Sequence, residues 1–311
     1  MKFQLALLVA GLLQLSAAHK ILVIGDWGQE TTSSSRPAQE MVSRAMGKYL
    51  EDNPETEYIV STGDNFYSYG VTSPESERFD SSWRDVYWVP EYPVMSSLPW
   101  YISLGNHDHS DDFDELHQVT FGITEPKWIL PDLWHDWVDV KDGYSVHWLV
   151  VDSQSMRHDK HDVEAQVAWF EEALDSSTAD YKIVVAHHTM YGAGRYSGST
   201  TLRRLIQPAM ERYDVDVFLS GHDHNLQHVK PEAGLSDKMD YVISGGGGRV
   251  LYEFDNDNLE AIQDLGYELV HFEEYYGVVT FDFDPEKMTV DFYSPDSNED
   301  LQLVHTFDRP N

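Results

Sequence analysis

The chain has no cysteine among its 311 residues, which rules out disulfides, thiolate metal sites and cysteine nucleophiles together. It has no Asn-x-Ser/Thr sequon either, so N-glycosylation is not expected. Basic residues are scarce: 21 Lys and Arg stand against 54 Asp and Glu, a formal net charge of −33. Such a surface repels phosphate backbones and anionic bilayers, so neither nucleic acid nor membrane is an expected partner. A site for phosphate therefore needs positive charge of its own, which metal ions can supply. No apolar run is long enough to span a bilayer. One mostly apolar stretch opens the chain, from Phe3 to Leu15, behind Lys2 and ahead of Ser16-Ala17-Ala18. That is the pattern of a secretory signal peptide. Residues 1–18 are expected to be removed on a secretory route, leaving residues 19–311 as one domain and a monomer. A chain of this length buries a core that needs no covalent staples.

There is no internal repeat and no low-complexity linker. Ala38–Leu50 has helical spacing, with Met41, Ala45 and Leu50 on one face, and Val163–Leu174 and Leu202–Tyr213 also read as helices. Between them lie apolar, strand-like runs, and this alternation predicts α/β layering. Lys238–Ser244, Tyr276–Phe283 and Lys287–Tyr293 read as further strands of the same domain. Gly245–Gly248 lacks the Lys-Ser/Thr of a nucleotide loop and precedes no helix, so it reads as a turn. Trp83, Trp88, Trp134 and Trp137 read as core or cleft wall.

Five strand-like runs stop at side chains that can hold a metal. Ile21–Ile24 leads to Gly25-Asp26-Trp27-Gly28, and Tyr58–Val60 to Gly63-Asp64-Asn65-Phe66-Tyr67. Trp100–Leu104 leads to Gly105-Asn106-His107-Asp108, Ile183–Ala186 to His187-His188, and Val215–Leu219 to Gly221-His222-Asp223-His224. Ligands of open α/β sheets bind outside the carboxyl ends of strands, so five such ends can meet at one place. Asp64 and Tyr67, three apart in a turn, offer a carboxylate and a phenolate, hard oxygen ligands that suit Fe(III); imidazole and amide suit a divalent transition metal. His222 and His224 share a face if their segment is extended, one for each of two ions. Asp64 is the expected bridge between ions about 3.5–4 Å apart. Each residue alone has a plainer reading: Asp26 or Asp64 as a helix cap, Asn106 as a turn residue, Tyr67 or His187 as packing. It is their conjunction that points to a site. His117, His135, His147, His158, His161 and His228 fall in no such setting and read as surface or structural.

The order D-x-G, G-D-x-x-Y, G-N-H-[DE], V-x-x-H, G-H-x-H resembles the calcineurin-like metallophosphatases, and within them the purple acid phosphatases of the small, mammalian-like (tartrate-resistant) type. The resemblance spans roughly residues 20–230. It implies a four-layer α/β/β/α sandwich, two mixed β-sheets flanked by helices. It also implies a dinuclear centre in which Asp26, Tyr67 and His224 hold Fe(III), Asp64 bridges, and Asn106, His187 and His222 hold a divalent ion (Fe, Zn or Mn). Secreted phosphomonoester hydrolysis follows, with small phosphomonoesters as substrates and an attacking hydroxide made available by the ions. His107 is expected to contact phosphate or protonate the leaving group, as histidine can in acid; Asp108 is its possible orienting partner. Where relatives carry a second active-site histidine this chain has Tyr196, so His188 or Tyr196 is expected nearby. The stretch from Asp152 to Val163 is too short for a repression loop, so proteolytic activation is not expected. Two other functions fit the composition: a phosphodiesterase of the same fold, and a secreted metal-binding protein without turnover.

Overall fold

The computed structural model describes residues 19–109 and 115–311. The expected leader, residues 1–18, lies outside them, as do residues 110–114. Among the described residues no helix is long and apolar enough to cross a membrane.

In chain order the described strands are β1 (His19–Ile24), β2 (Thr56–Ser61), β3 (Trp100–Ile102), β4 (Trp128–Ile129), β5 (His135–Lys141), β6 (Tyr144–Val150), β7 (Tyr181–Val185), β8 (Val217–Ser220), β9 (Leu226–Pro231), β10 (Asp240–Ser244), β11 (Tyr267–Glu273), β12 (Val278–Phe283), β13 (Lys287–Pro295) and β14 (Leu301–Pro310). They form two seven-stranded mixed sheets, β14-β13-β12-β1-β2-β3-β4 and β11-β9-β10-β8-β7-β6-β5. β1, β2 and β3 run parallel in the first, and β6, β7 and β8 run parallel in the second.

Three apolar layers make this a four-layer sandwich, as expected. Alternate residues of a strand face opposite sides, and β1 divides accordingly. Ile21 and Val23 pack between the sheets with Val60, Ile183, Val217 and Phe281. Leu22 and Ile24 pack outward with Val42 and Met46 of the helix Arg36–Asp52. On the far side Leu149 and Val184 meet Phe170 and Leu174 of the helix Val163–Ser176. Trp83 is buried in the first outer layer, where Trp88 and Trp134 pack against it, while Trp137 packs against the central layer.

The expected helix Leu202–Tyr213 is instead two short ones, Thr200–Leu205 and Gln207–Arg212, meeting at Ile206. Pro208 explains the break: it has no N–H and is tolerated only in a helix's first turn, where it sits here.

Candidate metal centre

All five strand ends meet. β1, β2 and β3 deliver theirs from one sheet and β7 and β8 from the other, so the crevice lies between the two sheets' carboxyl ends. Three of the delivered residues leave the extended path at once, Asp26, Asp64 and His222 having φ of 61°, 53° and 66°. That left-handed backbone is rare outside glycine and clusters at functional sites. It also corrects the extended reading of Gly221–His224: the chain turns at His222, and its two histidines reach different parts of the crevice by turning. The motif glycines make room. A Cβ on Gly105 would stand 2.2 Å from Asp64 Oδ1, and one on Gly221 2.6 Å from Asp26 Oδ2.

The donor atoms form two groups. In the first, Tyr67 Oη lies 2.9 Å from Asp26 Oδ1 and 3.2 Å from His224 Nε2, and His224 Nε2 is 3.3 Å from Asp26 Oδ1. Asp26, Asp64 and His224 place ligand atoms within 4.8 Å of one another. In the second, His187 Nε2 lies 3.1 Å from Asn106 Oδ1, 3.1 Å from His222 Nδ1 and 3.4 Å from Asp64 Oδ1. Asp64 thus reaches both groups, and its Oδ1 also accepts the His107 backbone N–H at 2.9 Å.

The protonation pattern tests whether cations fit. His187 Nδ1 is 3.0 Å from the Thr62 carbonyl and His224 Nδ1 is 2.7 Å from the Val250 carbonyl. A carbonyl only accepts, so each Nδ1 carries a proton and donates it, which aims each Nε2 inward, toward carboxylate and amide oxygens. Fixing a histidine through its far nitrogen is how proteins orient metal ligands. Burial, then Asp26 and Asp64, raises the Tyr67 phenol well above its usual range, so without a cation it stays protonated. Burial would raise Asp64 too, but the imidazoles of His187 and His107 outweigh it and pull that carboxyl down. Burial opposes charge on His224, but Asp26 wins and makes it more basic. Burial and neighbouring imidazoles hold His222 and His188 well below the ordinary range, hence neutral. Carboxylate, phenol, amide and imidazole donors converging from buried positions, with two of the imidazoles fixed through their far nitrogens, fit a pair of cations.

Above the donors opens a cavity of about 610 Å³ that Asn106, His107, Arg157, His188, Tyr196 and His222 help to line. The His107 ring is held by Nδ1, 2.6 Å from the Ser68 carbonyl, with Nε2 4.0 Å from Asp64 Oδ2. Asp108 does not orient that ring. Its buried carboxylate accepts N–H groups from Gly105 at 2.8 Å, Asn65 at 3.0 Å and Phe66 at 3.2 Å, tying two motif loops together. Burial and the charge of Asp64 push it up to about 6. His188 Nδ1 lies 2.9 Å from Ser153 Oγ, and its ring centroid is 4.4 Å from that of His222. Tyr196 stacks on His222 at 4.2 Å, so His188 and Tyr196 both border the crevice.

Sequence reasoning missed three neighbours that follow the glycine run. Arg249 covers the Tyr67 ring at 4.5 Å, Tyr252 stacks on His224 at 4.0 Å, and the Val250 carbonyl holds His224. Gly245–Gly248 itself is packed against the site: Gly247 N–H bonds the Gly25 carbonyl at 2.9 Å, and a Cβ on Gly245 would meet the Asp223 carbonyl at 2.1 Å. The run of glycines was the available signal, since close backbone approach is what demands them.

Comparison with known proteins agrees. The profile described as calcineurin-like phosphoesterase matches residues 19–226. Purple acid phosphatase 17 of Arabidopsis thaliana is 29% identical over 246 residues, covering 73% of this chain and 68% of that protein. Tartrate-resistant acid phosphatase type 5 of Oryctolagus cuniculus is 27% identical over 245 residues, covering 73% and 72%. Among solved structures, GAP50, the anchor in the inner membrane complex of Plasmodium, superposes with a TM-score of 0.77 at 19% identity over 94% of this chain and 89% of that one, a likeness of fold. Fold, motif order and matched length together place the chain in the calcineurin-like phosphoesterase family.

Proposed function

We propose that the chain is an acid phosphatase that hydrolyses small phosphomonoesters at a dinuclear metal centre. One observation carries this reading: two groups of donor atoms share Asp64 on the floor of a cavity that His107 lines. In it Asp26, Tyr67 and His224 would hold Fe(III), Asn106, His187 and His222 a divalent partner (Fe, Zn or Mn), and Asp64 both. Bound there, the cations would neutralise the phosphate and make water nucleophilic in acid. The rest falls to the chain's own groups. His107, steadied by the Ser68 carbonyl, presents Nε2 to the cavity to bind a phosphate oxygen or protonate the leaving oxygen. On the same cavity wall Tyr196 offers a phenol proton where the family resemblance implies a histidine; His188, neutral and tied to Ser153, orders that wall. Asp108 positions the loops that carry Asp64 and Asn106. Residues 1–18 would be the leader, residues 19–311 the single domain of a secreted monomer.

The test is turnover of p-nitrophenyl phosphate across pH beside metal analysis. His107→Ala keeps the backbone N–H that Asp64 accepts, so metal content should persist while kcat falls about 10²–10⁴-fold. Parental kcat in His107→Ala would remove His107 from its role. A metal-loaded protein with no turnover on phosphomonoesters or phosphodiesters would favour the non-catalytic reading.

A further inference from the structure

At the rim of the same cavity a second set of ligand-type side chains shares no residue with the two donor groups. His109, Glu115 and His161 place three ligand atoms within 4.8 Å of one another. His109 Nδ1 lies 3.4 Å from Glu115 Oε1, and that same oxygen contacts His161 Nε2. The three come from separate stretches: His109 from the loop after β3, Glu115 from the start of the helix Leu116–Thr124, His161 from the turn before the helix Val163–Ser176. The His109 side chain is wholly buried, with Glu115 at 11% and His161 at 31% exposure.

The far side of His109 supplies the second observation. Its Nε2 is 3.1 Å from Oδ1 of Asp152, a carboxylate with no exposure. Asp152 cannot swing away, because the same oxygen caps the helix Ser153–His158 by accepting the N–H groups of Gln154 and Ser155, each at 3.1 Å. Both ring nitrogens of His109 are buried without a hydrogen-bond partner, Nε2 beside the Asp152 carboxylate and Nδ1 facing the space shared with Glu115 and His161. A carboxylate that orients a histidine whose other nitrogen faces further ligands is the usual support of a metal-binding imidazole. Two imidazoles with one carboxylate suit Zn(II) and its neighbours rather than Ca(II) or Mg(II), and three protein ligands leave one position open.

We propose that His109, Glu115 and His161 form a separate, peripheral site for one divalent transition ion such as Zn(II), with Asp152 as the positioning residue. The site stands on the cavity rim through His109, so the ion would add positive charge to the mouth of a strongly acidic chain. The proposal does not depend on turnover or on which ions fill the dinuclear centre.

The test uses the full chain carrying its resident ions, titrated with Zn(II) and compared with Glu115→Gln and His161→Gln, both of which leave the dinuclear donors intact. Expected are one zinc equivalent fewer in each variant by mass spectrometric metal analysis, unchanged iron, and Zn(II) binding at this site weakened at least about 10-fold. Because His161 is partly exposed, its variant should fold. In a second background, Asp64→Ala, the His161→Gln change should still remove one equivalent. Equal zinc content and affinity in parent, Glu115→Gln and His161→Gln would overturn the proposal, as would loss of the difference in the Asp64→Ala background.

Discussion

Replacing Gly105 with alanine removes no ligand, charge or hydrogen bond, and yet should cripple the site. Gly105 sits just before Asn106, where the loop after β3 crosses the loop after β2. The new Cβ would stand 2.2 Å from Asp64 Oδ1 and 2.4 Å from the Asp64 backbone nitrogen, against roughly 3.5 Å for an ordinary contact. A backbone atom cannot rotate out of the way, so the loops must part by about 1 Å to regain that spacing. Asp108 resists, since it binds the Gly105 and Asn65 N–H groups at 2.8 and 3.0 Å. Overpacking of this kind costs about 1–3 kcal/mol, and shifting the shared carboxylate by about 1 Å should cost about 100-fold in kcat. Thermal unfolding, metal analysis and p-nitrophenyl phosphate turnover measure the three effects. Gly234→Ala separates them: Gly234 has φ of 111° with nothing within 4 Å of its would-be Cβ. That variant should lose about 1 kcal/mol through backbone strain alone and keep full turnover. Parental kcat and metal content in Gly105→Ala would refute the claim that Asp64's placement depends on this crossing.

Other perturbations probe other parts of the argument. Tyr67→Phe deletes the only phenol among the donors and should abolish the visible absorption expected of a phenolate–Fe(III) pair; retained colour would take Tyr67 off the iron. His135 is buried and held down to about 4 by that burial. Its folded pKa lies below the unfolded one, so the unfolded chain takes up the proton first. The stability it allows is full above about pH 6.5 and falls as pH drops toward 4. At about pH 4.5 the loss from His135 is about 2–3 kcal/mol. The stability difference between neutral and acid denaturant melts should shrink by that amount in His135→Phe, and an unchanged difference would mean His135 is already charged in the fold.

The donors that meet in the crevice were legible because their motifs are local: a strand and then, in four of the five, a glycine that clears space just before a donor. Motif order and the alternation of strand-like and helical segments also exposed the layered fold. What local pattern cannot carry is which strands pair. That β1, β2 and β3 belong to one sheet and β7 and β8 to the other rests on parallel pairings between residues far apart in sequence, such as Ile59 with Trp100 and Ile183 with Val217. The turn at His222 was hidden because a left-handed residue other than glycine leaves no compositional mark. Asp108 beside His107 was a natural candidate to orient it, but neighbours in a tight turn project in different directions, and Asp108 went to the loop amides. Arg249 and Tyr252 reach the centre only because the glycine run lies against Gly25 and Asp223, a packing fact that follows from tertiary contact.

The charge of the whole chain bears on when such a site works. At neutral pH a net charge near −33 opposes the approach of a phosphate dianion, while cations bound at the site would act only at short range. As pH falls toward the isoelectric point of about 4.5, surface carboxylates lose charge, a phosphomonoester becomes a monoanion and the repulsion fades. Preference for acid would then have an encounter component as well as a chemical one, and salt separates the two. Raising ionic strength from 0.01 to 0.15 M shortens the screening length from about 30 Å to about 8 Å. At about pH 7, kcat/KM for p-nitrophenyl phosphate should therefore rise severalfold with salt while kcat stays level, because screening removes repulsion that acts before binding. Near pH 4.5 the same salt step should leave kcat/KM almost unchanged. If kcat/KM at neutral pH fell with salt instead, local cationic groups such as Arg157 would have to dominate the approach, and the acid preference would belong to the chemistry alone.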